Sequence, residues 1–128
     1  MGVRPDEDQL AAEWHELMGR FRRLLCSLDR ELESKHGITA SDFEVLQLLA
    51  EAPKGKLRMH DLGDHAHLTQ SALSRLVARL EGAGMVERTM CDDDRRSVFA
   101  AITKTGRKRY VQARPTQRAV LRAEAHSV

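Results

Sequence analysis

Between residues 69 and 83 the side chains able to do chemistry are Thr69, Gln70, Ser71, Ser74, Arg75 and Arg79. Thr69, Gln70, Ser71 and Ser74 are short donors and acceptors. Arg75 and Arg79 carry guanidinium forks four residues apart, one turn of a helix. The one acid in the stretch, Glu81, comes only at its far end. Such a set suits a partner rich in acceptors, above all the base edges and phosphates of a DNA duplex, because no carboxylate repels the approach. Either arginine can chelate guanine O6 and N7 or hold phosphates, and the spacing leaves both roles open. A helix face that merely meets water usually mixes in Glu and Lys.

A second charged group follows at Asp92-Asp93-Asp94-Arg95-Arg96. Three acids are an odd choice beside a polyanion. Two readings fit. The segment is a solvated turn, or one carboxylate pairs with an arginine and fixes it while another arginine reaches into a minor groove.

These residues need elements to hold them. From Asp8 to Lys35 there is no proline and one glycine, and Leu10, Trp14, Leu17, Phe21, Leu24, Leu28 and Leu32 recur in steps of four and three. That spacing predicts an amphipathic helix of about 42 Å, closed by a left-handed cap at Gly37. A stripe so long seeks a partner chain, although it can also pack within its own subunit. Thr39 and Asp42 have capping-box spacing, and the helix they start buries Phe43, Leu46, Leu49 and Ala50 before Pro53 and Gly55 stop it. Lys56 to Arg58 reads as a short extended stretch, and His60 to Ala66 as a short helix. Thr69 is then a good N-cap for a helix from Gln70 to about Ala83, buried along Ala72, Leu73, Leu76, Val77 and Leu80. Residues 85–90 and 97–102 read as two strands around a polar tip at 91–96. Thr103 caps a last helix, which Pro115 is expected to break or restart, leaving a polar tail. Helix, turn, second helix and charged hairpin together set one helix in a major groove with a loop over the neighbouring backbone.

Composition excludes several classes. With 128 residues, 41% hydrophobic, the chain can bury a single domain core. Net charge is only +2, but residues 1–51 carry six Lys/Arg against eleven Asp/Glu, and residues 69–110 carry nine against five. The basic half suits a polyanion. Cys26 and Cys91 are too few for a disulfide framework. No apolar run approaches the roughly 20 residues of a membrane span, and the acidic start is unlike a secretory signal, so a cytoplasmic chain without membrane contact is expected. There is no Gly-rich phosphate loop and no nucleophile elbow, so neither an enzyme nor a cofactor is expected.

The stretch from Leu57 to Arg107, LRMHDLGDHAHLTQSALSRLVARLEGAGMVERTMCDDDRRSVFAAITKTGR, resembles the MarR family of bacterial winged-helix regulators. The resemblance rests on the helix-turn-helix running into SRLVARLEGAGMVER, on Asp94-x-Arg96, and on Ile102-Thr103-x-x-Gly106, and it extends over about residues 8–114. It implies a mainly α (α+β) fold: an N-terminal dimerisation helix over 1–37, a winged helix-turn-helix DNA-binding domain over 38–103, and a C-terminal helical segment over 104–128 that contributes to dimerisation. It also implies a homodimer on a pseudo-palindromic operator, repression, and relief by a small aromatic or anionic effector. Within it Arg96 enters the minor groove, Asp94 braces it, and Arg95 contacts the backbone. Residues 122–128 are poorer in apolar side chains than the family pattern. The Leu10–Leu32 stripe is therefore expected to carry most of the dimer, and removal of residues 1–30 to abolish it.

An effector pocket is expected where the long helix meets the DNA-binding lobe, at Trp14, Met18, Phe21 and Phe43, unless these are plain core residues. Three other readings compete: a metal-responsive site at His65 and His67 with Asp61 and Asp64; a redox-responsive thiol at Cys91 beside Arg88, Arg95 and Arg96; and a winged-helix protein-interaction module without DNA. Cys26, next to Leu25, is expected to be buried.

Overall fold

The computed structural model describes residues 6–91 and 94–125, without the side chains of 91, 94–96 and 125. Helix α1 spans Glu7–His36, capped at its start by Asp6, whose carboxylate accepts from the Asp8 N–H at 3.0 Å, and at its end by Gly37 at φ 69°. Helix α2 spans Ala40–Glu51, and a single 3₁₀ turn at Pro53–Gly55 leads to strand β1, Lys56–Arg58. Helices α3 (Met59–His65) and α4 (Gln70–Gly82) form the helix-turn-helix. Strands β2 (Val86–Cys91) and β3 (Asp94–Ile102) form the hairpin, and α5 spans Lys104–Ala125.

The core is built from Leu28 and Leu32 of α1, Ile38, Phe43, Val45, Leu46 and Leu49 of α2 and the turn before it, Leu62 of α3, and Leu73, Leu76, Val77 and Leu80 of α4. The capping box at Thr39 and Asp42 forms in both directions, at 3.0 Å and 2.9 Å. The sheet is antiparallel in the order β1-β3-β2, with Leu57 opposite Ala100 and Arg88 opposite Ala100 on the other side. The strands run further than the residue pattern predicts, since Asp94 already pairs with Cys91. Cross-strand hydrogen bonds continue through polar residues that a hydrophobic alternation cannot register.

Three expectations need correcting. Helix α5 continues through Pro115 instead of breaking there. Proline deprives the carbonyl of Val111 of its partner, but both residues are exposed, so water can satisfy it. Beyond Pro115 the C-terminal segment is helical to Ala125, as the helical segment over 104–128 leads one to expect. Cys26 is exposed. Finally, the Leu10–Leu32 stripe is not one surface. Leu24, Leu28 and Leu32 pack into the chain's own core, whereas Leu10, Trp14, Leu17 and Phe21 are exposed, as is Val111 of α5.

The junction between hairpin and α5 explains why Thr103 and Gly106 stand where they do. The Thr103 hydroxyl donates to the Gly84 carbonyl at 2.6 Å and accepts from the Gly106 N–H at 3.1 Å, while the Thr103 N–H donates to Met85 O at 3.0 Å. A Cβ on buried Gly106 would lie far inside contact distance of that same Met85 carbonyl and of Ile102. Backbone cannot yield as a side-chain tip can. Gly106→Ala is therefore expected to destabilise the fold by about 1–3 kcal/mol, read as a lowered urea midpoint at unchanged m-value. An unchanged midpoint would show that the junction gives way.

Candidate nucleic-acid interface

The polar face predicted for residues 69–79 is carried by α4, but the structure sorts its members. Thr69 is the N-cap; its hydroxyl accepts from the Ala72 N–H at 3.1 Å. Gln70 folds back over α3, its amide within 3.5 Å of the His60 carbonyl and lying where a Cβ of Gly63 would be. It therefore holds the turn of the motif. Successive helical residues rotate by about 100°, which sets Ser71, Arg75 and Ala78 at the centre of the outward face. All three are exposed, and the side chains of Ser71 and Arg75 have no partner among the described residues.

The two flanks of α4 are tied down. Arg88 of β2 donates to the Ser74 carbonyl at 3.0 Å and pairs with Glu81 at 2.8 Å. The acid at the far end of α4 is thus neutralised by the hairpin. On the other flank Arg79 pairs with Asp42 of α2, whose side chain is only 4% exposed. Arg79 was expected to be as free as Arg75. It is instead held, though its own side chain remains 57% exposed. Sequence reasoning missed Ala78 and Arg88. Helical rotation finds Ala78, a small side chain that permits close approach of a groove wall. Arg88 is visible only once the strand lies beside α4.

The first turn of α4 holds no acid, and Thr69 takes up the N–H groups of Ala72 and Leu73. Together these features make an electropositive, hydrogen-bonding ridge about three turns long, backed by a close-packed core. The side chains of Asp94, Arg95 and Arg96 lie outside the described residues, as do that of Cys91 and all of Asp92 and Asp93. Arg88, invoked as a neighbour of the Cys91 thiol, is engaged by Glu81 and the Ser74 carbonyl. His65 and His67 are both exposed, His60 approaches Asp64 at 3.5 Å, and no three metal-ligating side chains converge among the described residues.

Of the four residues named for an effector, Trp14 and Phe21 are exposed and Met18 is half-buried on α1, whereas Phe43 is fully buried with its ring 5.4 Å from that of Tyr110. The structure therefore separates Phe43 from the other three. The pocket lined by Arg58, Met59, His60, Asp61, Ser97 and Val98 contains none of them. Among the described residues, no helix is long and apolar enough to cross a membrane.

A MarR family model matches residues 36–97, from the end of α1 into β3. The chain is 33% identical over 89 residues to the transcriptional regulator FarR of Neisseria gonorrhoeae, and 28% over 92 residues to the homoprotocatechuate degradative operon repressor of Escherichia coli. These matches take in 70% and 72% of this chain but only 60% and 61% of those proteins. Among solved structures, the MarR family regulator Sco3205 of Streptomyces coelicolor, solved in complex with DNA, superposes with a TM-score of 0.86 at 32% identity, over 96% of this chain and 77% of that one. AbsC of the same organism gives 0.84 at 30% identity, over 95% and 82%. With nearly the whole chain superposing on these regulators at 30% identity or more, the chain belongs to the MarR family.

Proposed function

We propose that the protein is a sequence-specific double-stranded DNA-binding transcriptional regulator that represses its target as a homodimer. The observation that carries this reading is the outward face of α4, where Ser71 and Arg75 stand exposed with no acid in the first turn and with Glu81 neutralised by Arg88. A helix in a major groove needs such a face. Repression is supported by the names of relatives such as the E. coli operon repressor. Dimerisation is supported by the exposed apolar row of α1 from Leu10 to Phe21. A two-fold dimer would read a pseudo-palindrome with half-sites roughly 10 bp apart. Arg96, braced by Asp94 and accompanied by Arg95, is assigned to the adjacent minor groove, and a small aromatic or anionic effector to the region of Trp14, Met18 and Phe21.

Selection from random duplexes tests binding, palindromy and spacing at once. Enrichment of an inverted repeat is expected. On the selected operator, log affinity should fall with log salt by about 0.9 per phosphate neutralised. A flat salt dependence would favour a protein-interaction module instead. Arg96→Ala is expected to weaken operator binding by about 1–3 kcal/mol; unchanged affinity would remove the wing from recognition.

A further inference from the structure

Arg79 sits on the α2-facing flank of α4, where one nitrogen of its guanidinium donates to Oδ1 of Asp42. The other oxygen of that carboxylate, Oδ2, accepts from the Thr39 N–H at 2.9 Å. Asp42 is therefore doubly engaged and buried, and it cannot swing. It is anchored further by its surroundings: the neighbouring Ala40 N–H donates to Asp29 of α1 at 2.8 Å, and Phe43, the next residue, is fully buried. Arg79 differs, being 57% exposed, and its remaining N–H groups have no partner among the described residues. One nitrogen of the planar fork is held by a buried acid while the side chain stays more than half exposed, one helical turn from Arg75.

A guanidinium is rigid and planar, so holding one of its nitrogens restricts the directions open to the others. A free surface arginine must surrender rotamer freedom when it binds, and one already held by Asp42 has surrendered most of it on folding. We propose that Asp42 is a positioning residue for DNA recognition: it aims Arg79 so that Arg75 and Arg79 grip one half-site together. This rests on the DNA-binding reading above. Because the N-terminus of α2 is itself held by Asp29, the carboxylate also sets the direction of Arg79 relative to α1, the helix whose exposed row is assigned to the partner protomer.

Charge alone and aim predict opposite results for Asp42→Asn. Removing a negative charge beside the ridge should strengthen binding to any duplex by simple electrostatics. Loss of aim should weaken binding to the operator alone. The 128-residue chain would be titrated with the selected operator and with a scrambled duplex of equal length. Asp42→Asn is expected to bind the scrambled duplex as well as the wild type or better, and the operator about tenfold more weakly. Asparagine still accepts from the Thr39 N–H, so the melting temperature serves as a control on the cap. In combination with Arg79→Ala, the Asp42→Asn loss should vanish, since there is nothing left to aim.

Arg79→Lys keeps the charge and lacks the fork, and should match Asp42→Asn on the operator; it keeps the test open if the Asp42 variant fails to fold. Wild-type operator affinity in either variant, or losses that simply multiply in the double variant, would overturn the proposal. Failure of the wild type itself to bind any duplex would overturn the DNA reading, and this one with it.

Discussion

Replacing Leu17 and Phe21 together by glutamate is expected to yield a monomer whose operator affinity is lower by about 10²–10⁴-fold. Leu17 and Phe21 are 58% and 61% exposed and continue a row with Leu10 and Trp14 at steps of four and three, the seam spacing of packed helices. Covering each such side chain contributes about 1.5–3 kcal/mol. Across a two-fold interface the double substitution would instead bury four carboxylates without partners, which no dimer of this kind tolerates. The DNA effect follows from connection: in the proposed dimer each α4 would meet one half-site, and linking two of them makes the second contact intramolecular. Sedimentation should report the monomer mass with helix content unchanged, because Leu28 and Leu32 of the same helix still fill the chain's own core. A persisting dimer would place the interface elsewhere, and Val111 of α5 would then be the residue to change. Deleting residues 1–30, the test that the heptad stripe alone invites, is the poorer experiment, since it also strips Leu24 and Leu28 from the core.

Arg75→Ala is expected to cost operator binding about 1–3 kcal/mol per half-site, roughly 2–6 kcal/mol for the symmetric dimer, with no loss of stability. Arg75 is exposed, has no partner among the described residues, and alanine is the better helix former. Isothermal titration against the operator and a thermal melt of the free protein separate the two quantities. Arg75→Lys then resolves a role that spacing left open. Lysine retains a phosphate contact but lacks the planar fork that matches guanine O6 and N7 with two parallel N–H bonds, so recovery of most of the affinity marks a phosphate contact and a large remaining loss marks a base contact. An Arg75→Ala variant that binds as the wild type would displace the centre of recognition from α4.

Much of the fold was legible because its signals are local. Thr39 with Asp42, Gly37, and Thr69 each act within four residues, so their types and spacing announce the caps that the structure contains. The apolar period of α4 likewise fixes which of its faces is buried, and therefore which face is left for a partner. Pro115 misled for the opposite reason: a local rule against proline in helices is overridden where the orphaned carbonyl is solvent-exposed. Cys26 misled because adjacency to Leu25 suggested burial, whereas it stands two residues from both Leu24 and Leu28, about 200° round the helix from the stripe, and faces away from the core.

By itself, then, the sequence determined the elements, their caps, the acid-free face carrying Ser71, Ser74, Arg75 and Arg79, and the resemblance to the MarR family. Only the tertiary structure decided how that face is divided. Gln70 turns back to α3, Arg79 is fixed by an acid 37 residues earlier, and Glu81 is silenced by Arg88. It also decided that α1 is half core and half open surface. The physical reason is common to all of these. A side chain's intrinsic chemistry is set by its type, but whether its charge and donors remain available depends on which groups distant in sequence reach it first when the chain packs.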